Sequence, residues 1–282
     1  GLLLDPEVLT VGFARRFAEY KRPDLLLRDP ERLVKLLNDR DRPLQIVIAG
    51  KAHPRDEIGQ AILARWYNFI RRPDVVGRVV FIEDYDLRVA ERLVQGVDVW
   101  LNTPRHPWEA CGTSGMKVLV NGGLNLSQRD GWWAEAYAPE LGWAVGAYGG
   151  PHAAISEADT DGQDALEVFE LLEQEVVPQF YDTDAQGLPR QWLGKVRESM
   201  SKLTPRYSAN RMVREYVERF YLPLLDRYQQ RNSETAREIA RWQADLGEHW
   251  PLIRFGNLQV TTEDDQHQVA LQLHLDGVDS EW

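Results

Sequence analysis

The chain has 282 residues, enough for about two domains and a sizeable hydrophobic core. Its 33 basic and 44 acidic residues give a net charge of -11, which disfavours general binding to nucleic acids or to anionic membranes. The sequence has no apolar run near the ~20 residues that cross a bilayer, and a single cysteine, Cys111, excludes an internal disulfide and a thiolate zinc site. We therefore expect a cytoplasmic protein without a metal ion, a nucleic-acid partner or a membrane partner.

The first 150 residues alternate short apolar runs with helix-like stretches, which is typical of βαβ units on a parallel sheet. The predicted strands are 8–14, 44–50, 79–82, 97–101, 124–127 and 143–147, and the predicted helices between them are 23–38, 55–70, 87–94 and 112–120. Because the carboxyl ends of parallel strands lie along one edge of a sheet, we expect a ligand to bind there.

The later part of the chain has a different pattern. Helices are predicted over 166–180, 190–202, 209–221 and 225–246, with prolines at or near their ends, and a hairpin is predicted from 252–260 and 268–275. The sequence begins at Gly1 without a starting methionine, so we expect it to be a fragment of a longer protein.

Four cations lie within eight residues directly after the first predicted strand: Arg15, Arg16, Lys21 and Arg22. In an acidic chain this is a local reversal of charge at the edge where a ligand is expected. Arginine offers a planar fork of donors and lysine a compact charge, so the cluster is suited to one or two phosphates. A solvated helix start explains the same four residues equally well.

A second group of candidate residues follows the strand that ends near Leu101. Gly112 to Gly115 (GTSG) begin a predicted helix, and such small residues let backbone N–H groups approach an anion. Lys117 lies about one turn further on. A desolvated lysine there could form a Schiff base with an aldehyde cofactor, whereas an exposed lysine would be an ordinary surface residue.

Several of these segments together resemble the C-terminal half of α-glucan phosphorylases, the family of glycogen, starch and maltodextrin phosphorylases. The segments are 11–23 (VGFARRFAEYKRP), 50–54 (GKAHP), 83–85 (EDY) and 102–121 (NTPRHPWEACGTSGMKVLVN), and 122–137 (GGLNLSQRDGWWAEAY) is similar to the bacterial branch. The order and spacing also agree, and the resemblance covers about residues 8 to 250.

The resemblance implies an α/β fold, the C-terminal domain of a GT-B glycosyltransferase. This is a Rossmann-like parallel sheet with flanking helices, followed by a helical extension and a short C-terminal β segment. We expect a cofactor- and phosphate-binding core over 1–160, a helical extension packing on it over 161–250, and the start of a small β module over 251–282. A facing N-terminal domain of the same enzyme would be missing from this chain.

The resemblance also implies roles for individual residues. The family depends on pyridoxal 5′-phosphate, and its Schiff-base lysine falls on Lys117. The remaining cofactor contacts fall on Arg15, Tyr85, Thr113, Ser114 and Gly115, the substrate-phosphate contacts on Arg16 and Lys21, and the contacts to the reacting glucosyl unit on Glu109, Cys111 and Gly112. Lys117, Arg16 and Lys21 would be the catalytic residues. Cys111 stands where the family often has serine, which weakens any side-chain hydrogen bond.

The implied reaction is reversible phosphorolysis of a terminal α-1,4 glucosyl unit of an α-glucan by inorganic phosphate, giving α-glucose 1-phosphate with retained configuration. In this family the cofactor phosphate exchanges a proton with inorganic phosphate. Two adjacent phosphates repel each other, so the site needs the cations at Arg15, Arg16 and Lys21. Without the N-terminal domain we expect the chain to be inactive.

Two other functions fit parts of the sequence. A nucleotide-sugar glucosyltransferase of the glycogen or starch synthase type is similar around Glu109, but it typically has a second glutamate at the position of Lys117. A lysine cannot accept hydrogen bonds from the nucleotide ribose, which favours phosphorylase. A non-catalytic glucan-binding module would use Trp132 and Trp133 as sugar platforms, although such a pair more often belongs to a core.

Overall fold

The computed structural model describes residues 4–146, 157–263 and 266–278. Its larger sheet has six parallel strands in the order β3-β2-β1-β4-β5-β6. The strands are β1 (Leu9–Ala14), β2 (Leu44–Ala49), β3 (Val79–Ile82), β4 (Val99–Asn102), β5 (Leu124–Gln128) and β6 (Gly142–Val145). This is the strand order of a doubly wound Rossmann sheet, so the predicted fold class is confirmed. Ala147, the last residue of the final predicted strand, lies outside the described residues.

Helices connect the strands and continue after the sheet. They are α1 (Pro30–Leu37), α2 (Glu57–Ile70), α3 (Leu87–Gly96), α4 (Ser114–Leu119), α5 (Trp132–Ala136), α6 (Glu157–Leu171), α7 (Val177–Tyr181), α8 (Arg190–Arg206), α9 (Ala209–Tyr216), α10 (Leu222–Gln230) and α11 (Ser233–His249). Short 3-10 turns cover Glu19–Lys21, Leu25–Arg28 and Trp250–Leu252, and π turns cover Leu172–Val176 and Val217–Tyr221. Strands β7 (Arg254–Glu263) and β8 (Gln266–His274) form the predicted antiparallel hairpin.

Side chains of the large sheet alternate between two hydrophobic clusters. Leu9, Val11 and Phe13 of β1 belong to the cluster that also takes in residues of α1, α2 and α6. Ala14 and Val47 belong to the cluster on the other side, with residues of α3 and α4. Because both faces are covered, every residue of β1 and β2 is buried, which explains why these strands are nearly continuous apolar runs in the sequence, interrupted only by Thr10 in β1 and Gln45 in β2.

The helix predicted over 23–38 is divided in two. A 3-10 turn ends at Arg28, and α1 begins at Pro30. Asp29 caps α1 by accepting a hydrogen bond from the Arg32 N–H at 3.0 Å. Proline disfavours a helical conformation in the residue before it, so the chain breaks at Asp29 and starts a new helix.

Two prolines predicted near helix ends lie inside continuous helical stretches. Pro178 and Pro223 each follow a π turn, and the chain stays helical on both sides. The wider turn accommodates the missing proline N–H. By contrast, the helix predicted over 225–246 is interrupted where Asn232 Oδ1 accepts the N–H groups of Glu234 and Thr235, both at 2.9 Å, and caps α11.

The chain divides into two compact units, Gly1–Arg211 and Met212–Trp282. The six-stranded sheet and helices α1 to α8 belong to the first unit, and the hairpin belongs to the second. The boundary lies within the predicted helical extension, and the division into 1–160, 161–250 and 251–282 stays a prediction. Among the described residues, the helices are too short or too polar to span a bilayer.

Candidate functional site

Strands β1 and β4 are neighbours at the centre of the sheet, and the chain crosses from one side of the sheet to the other between them. Ligands bind at such a switch point, beyond the carboxyl ends of the strands. Arg15 follows β1 directly, and the segment 103–113 follows β4. The topology therefore brings the predicted basic cluster and the predicted GTSG segment (112–115) to the same edge of the sheet.

Arg15, Lys21 and Glu109 form a cluster at this edge, and their side chains are at most 10% exposed. Arg15 Nη2 donates to Glu109 Oε2 at 2.8 Å, and Lys21 Nζ donates to the same oxygen. Arg15 Nη1 also donates to the side-chain oxygen of Asn102, the last residue of β4. The amide of Asn102 is oriented by its donation to Ser127 Oγ at 3.0 Å. Sequence reasoning missed Asn102, although its place at the end of a central strand was a usable signal.

The carboxylate of Glu109 is held ionised by its neighbours. Burial raises the pKa of Glu109, but the hydrogen bond from Lys21 and the charges of Arg15 and Lys21 outweigh it, so the pKa lies below the ordinary glutamate value. Glu109 is therefore an anion and a pure hydrogen-bond acceptor at neutral pH.

This ion cluster predicts how stability depends on acidity. The pKa of Glu109 is lower in the folded than in the unfolded chain, so its stabilisation is complete above the unfolded value of about 4.3 and is lost as the pH falls through the folded value. We expect Glu109→Gln to flatten the fall in unfolding free energy below about pH 4, measured by urea titration at several pH values. Glu91→Gln, on the exposed surface of α3, is the control. If the unfolding free energy fell equally steeply with pH in the two variants, the ion cluster would not stabilise the fold as described.

Arg16 and Lys21 both interact with the Tyr20 side chain. The Lys21 ammonium lies 4.6 Å from the centre of the Tyr20 ring. Burial raises the pKa of Tyr20, but hydrogen bonds from Lys21 and Arg16 outweigh it, and the net shift is downward. Arg16 is exposed, unlike Lys21. The two predicted substrate-phosphate residues are thus close together, around a tyrosine that the sequence analysis did not single out.

The fourth cation of the sequence cluster, Arg22, does not bond to Glu109 but to other residues. Its guanidinium is buried and donates to Asp161, Asp164, Gln128 and two backbone carbonyls. It is therefore unavailable to a phosphate, and the basic cluster offers three cations rather than four.

The loop that carries Glu109 and Cys111 is held in place by hydrogen bonds to residues 130–132. The Glu109 N–H donates to Asp130 Oδ2 at 2.9 Å, and the Trp132 N–H donates to the Cys111 carbonyl at 3.0 Å. A Cβ atom on Gly131, whose φ is 53°, would lie 2.4 Å from that carbonyl. Close approach of the two segments therefore requires glycine there. Asp130 is a second positioning group that the sequence analysis missed.

Cys111 keeps its proton. Burial raises the pKa of the Cys111 thiol, and the negative charges of Glu109 and Glu135 raise it further. A protonated thiol is a weak hydrogen-bond donor, so any strong contact from this position comes from the backbone.

Gly112 lies against Arg15, because a Cβ atom added to Gly112 would lie 3.7 Å from Arg15 Nη2. Helix α4 begins two residues later and has only six residues, fewer than the predicted nine-residue helix. The Thr113 side chain does not cap it, and Ser114 Oγ accepts a hydrogen bond from Trp100 Nε1 at 3.1 Å. With so short a helix, the cations supply more of the positive potential than the helix dipole does.

Lys117 lies within α4 and is exposed rather than desolvated. Its ammonium group makes no hydrogen bond or ion pair with any residue that the structure describes. Tyr85 is half-buried against the cluster that includes Ala14 and Trp100. Burial raises the pKa of Tyr85, and the charge of Arg15 partly offsets that shift, which places Tyr85 within electrostatic reach of Arg15.

Gly115 allows α4 to pack directly against Asn125 and Trp132. An added Cβ atom would lie 2.3 Å from Asn125 Oδ1 and 2.9 Å from the Trp132 ring, and Asn125 donates to the Gly115 carbonyl at 3.1 Å. We expect Gly115→Ala to lower the unfolding free energy by about 1–3 kcal/mol, because α4 must move. Gly194→Ala, in the interior of α8 with open space around it, should be neutral or stabilising. Denaturant unfolding of both variants compares them, and a neutral Gly115→Ala would show that α4 is not tightly seated.

Trp132 and Trp133 are 3% and 0% exposed, respectively. Neither offers a face to a sugar, so the structure contradicts their use as binding platforms. Their indoles belong instead to a hydrophobic cluster that also contains Leu119, Leu141 and Leu203. Among the described residues, the acidic, histidine and cysteine side chains form no group of three suited to a metal ion.

The sequence is similar to known proteins over most of its length. The sequence model of the carbohydrate phosphorylase family matches residues 2–142. The chain is 48% identical to the glycogen phosphorylase of Aquifex aeolicus over 80% of this chain and 32% of that protein. It is 44% identical to the glycogen phosphorylase of Mycobacterium tuberculosis over 96% of this chain and 31% of that protein.

A third relative is the maltodextrin phosphorylase of Thermococcus litoralis, 40% identical over 99% of this chain and 32% of that protein. The chain thus spans about a third of the length of these relatives. The family match, the identities and the doubly wound sheet lead to one conclusion: the chain belongs to the carbohydrate phosphorylase family.

Proposed function

We propose that the chain is the C-terminal part of a pyridoxal-phosphate-dependent α-glucan phosphorylase. The observation that carries this proposal is the pair of buried cations, Arg15 and Lys21, converging on one carboxylate at the switch point of the sheet. Buried cations at the end of a central strand are suited to phosphate groups, and membership of the phosphorylase family names the reaction that uses them.

The residues present fit pyridoxal 5′-phosphate. Arg15 lies next to Gly112, the Thr113 hydroxyl is free of helix capping, and the Lys117 amine is unpaired among the described residues. In this proposal Arg15, Thr113, Ser114 and the backbone at Gly115 hold the cofactor phosphate, Tyr85 flanks the ring, and Lys117 holds the aldehyde carbon. When bound, the cofactor supplies a phosphate group that exchanges a proton with inorganic phosphate.

The substrate phosphate would bind to Arg16 and Lys21. Arg16 is exposed and can turn toward a ligand, whereas Lys21 is fixed against Tyr20 and Glu109. Two phosphates side by side repel each other strongly in a poorly solvated site. Arg15, Arg16 and Lys21 offset that repulsion, and the same charges stabilise the phosphate as it gives up its proton to the leaving glycosidic oxygen.

Glu109 would bind the hydroxyl groups of the reacting glucosyl unit. Its carboxylate is ionised and can only accept hydrogen bonds, which suits sugar hydroxyls as donors. Gly112 leaves room for a ring to approach the backbone. Within the described part of the chain its N–H and that of Cys111 donate to no backbone carbonyl, so both can serve as donors in place of the weak thiol. These contacts orient the anomeric carbon toward the phosphate bound at Lys21.

The complete reaction in this proposal is reversible phosphorolysis of α-1,4-glucan to α-glucose 1-phosphate with retained configuration, in the cytoplasm. The N-terminal domain would close over the exposed Lys117 and the sugar. A chain that spans a third of its relatives' length, with an exposed Lys117, is expected to be inactive alone.

The test is an assay of this chain joined to the N-terminal part of a phosphorylase relative. Maltooligosaccharide and inorganic phosphate should give glucose 1-phosphate, and activity should require added pyridoxal 5′-phosphate. Glucosyl transfer from a nucleotide-sugar without phosphorolysis would instead establish the glycogen synthase type of reaction. Glucan binding with neither reaction would establish a non-catalytic glucan-binding module.

A further inference from the structure

Arg22 combines two features that are rarely found in one residue. Its backbone is in the left-handed region, with φ 45° and ψ 51°, where residues other than glycine are uncommon. Its side chain is only 3% exposed. A strained backbone conformation persists where the surroundings hold it in place, and such residues often lie at functional sites.

The surroundings that hold Arg22 use all five of its N–H donors. Nε donates to the Thr103 carbonyl at 2.9 Å, and Nη2 to the Pro104 carbonyl and to Gln128 Oε1, both at 3.0 Å. Nη1 donates to Asp161 Oδ1 at 3.0 Å and to Asp164 Oδ2 at 2.6 Å. The guanidinium thus joins the 3-10 turn at Glu19–Lys21 to the loop after β4, to β5 and to α6.

The backbone on either side of this anchor is also fixed. The Arg22 N–H donates to the Glu19 carbonyl at 2.9 Å and closes the 3-10 turn that contains Lys21. Thr103 Oγ1 donates to the Arg22 carbonyl at 3.2 Å, and the Arg105 N–H donates to the Tyr20 carbonyl at 2.6 Å. The turn that carries Lys21 is therefore bonded to the loop that leads to Glu109.

Neither the left-handed backbone nor the buried ion pair, taken alone, explains an arginine in this conformation. A left-handed turn by itself is best served by glycine or asparagine, and a buried ion pair does not require a strained backbone. Their combination means that the turn and the anchor depend on each other. Displacing the guanidinium would release the turn, and Lys21 would lose its direction toward Glu109.

We propose that Arg22 is a positioning residue for phosphate, whose anchored side chain holds the left-handed turn that directs Lys21 into the site. This inference rests on the proposed function for the identity of the ligand. Arg22 itself touches no ligand, because its donors are all used within the protein.

The test compares Arg22→Lys with the unchanged sequence in the active assembly of the chain with an N-terminal part. Lysine keeps the charge but lacks the planar fork of donors, so it should not restore the anchor. We expect the KM for inorganic phosphate to rise at least about tenfold, with the KM for maltooligosaccharide changed less than about twofold. Arg22→Gly, which permits the turn but removes the anchor, should behave in the same way.

Arg28→Ala is the matched control. Arg28 also donates to Asp161, at 2.9 Å, but its side chain is 42% exposed and is not part of the Lys21 turn. The KM for phosphate of the Arg28→Ala variant should stay unchanged. If both Arg22 variants fail to fold, Asp164→Asn takes their place, because it weakens one hydrogen bond to the Arg22 guanidinium and leaves Arg22 unchanged. This variant should raise the KM for phosphate about threefold.

Calorimetric titration of the chain itself with inorganic phosphate provides a readout that needs no activity. One outcome is that Arg22→Lys binds phosphate more weakly, while the unchanged chain joined to an N-terminal part produces no glucose 1-phosphate. That outcome would support the positioning role and overturn the proposed function. An active assembly in which Arg22→Lys lowers only thermal stability or kcat would overturn the positioning role and leave the proposed function standing.

Discussion

Replacing Lys117 with arginine should abolish covalent retention of pyridoxal 5′-phosphate. After incubation and borohydride reduction, the unchanged protein should carry about one cofactor per chain and Lys117→Arg none, because a guanidinium keeps the charge but cannot form the Schiff base. Phosphorolysis by the completed enzyme should fall to background in the same variant. Mass spectrometry of the intact protein measures the retained cofactor, and released glucose 1-phosphate measures the activity.

Lys51 provides the matched control for this experiment. It is also an exposed lysine at the carboxyl edge of the sheet, where it follows β2 and pairs with Asp84 at 3.3 Å. Lys51→Arg should retain the cofactor as the unchanged protein does. Retention that survives in Lys117→Arg, or disappears in Lys51→Arg, would contradict the assignment of Lys117.

Replacing Arg15 with methionine should produce the largest loss of stability among the site variants. Methionine fills most of the volume, but Glu109 and Asn102 then lose the buried guanidinium that both of them contact. Breaking a buried ion pair by removing one partner typically costs about 3–5 kcal/mol, and we expect about 3 kcal/mol because Lys21 still contacts Glu109. Denaturant unfolding measures the loss.

Arg72→Met separates this effect from the general loss of an ion pair. Arg72 bonds Glu31 at 2.6 Å and Asp74 at 2.8 Å, but all three side chains are partly or largely exposed. Exposed pairs contribute little, so the loss should be much smaller than the loss in Arg15→Met. An Arg15 variant as stable as the Arg72 variant would show that the edge cluster does not hold the loop after β4 in place.

The fold was predictable where local sequence and tertiary structure agree. The strands of the sheet are buried on both faces, so they appear as apolar runs such as LQIVIA in β2. Helix boundaries were less predictable, because Pro30 begins a helix while Pro178 and Pro223 lie within helical stretches. The π turns that accommodate the latter two have no distinct sequence pattern. Asn232, by contrast, is a readable cap before Ser233 that the predicted long helix overlooked.

Parts of the site could be predicted because they follow strand ends directly. Arg15 comes after β1 and the segment that leads to GTSG (112–115) comes after β4, and parallel topology alone brings them together. The partners that orient them could not be predicted. Asp130 meets Glu109 across 21 residues, and Asp164 meets Arg22 across 142 residues. Sequence patterns report local periodicity and carry no signal for such long-range hydrogen bonds, so Arg22 was grouped with the ligand-binding cations rather than with the core.

A crystal structure of the protein grown with pyridoxal 5′-phosphate and inorganic phosphate would test the central claim most directly. We predict continuous density from Lys117 Nζ to the cofactor, with the cofactor phosphate on Arg15 and Thr113 and a second phosphate on Lys21 and Arg16. Cofactor bound to another lysine, or phosphates away from the carboxyl ends of β1 and β4, would contradict the assignment of this edge as the phosphorylase site.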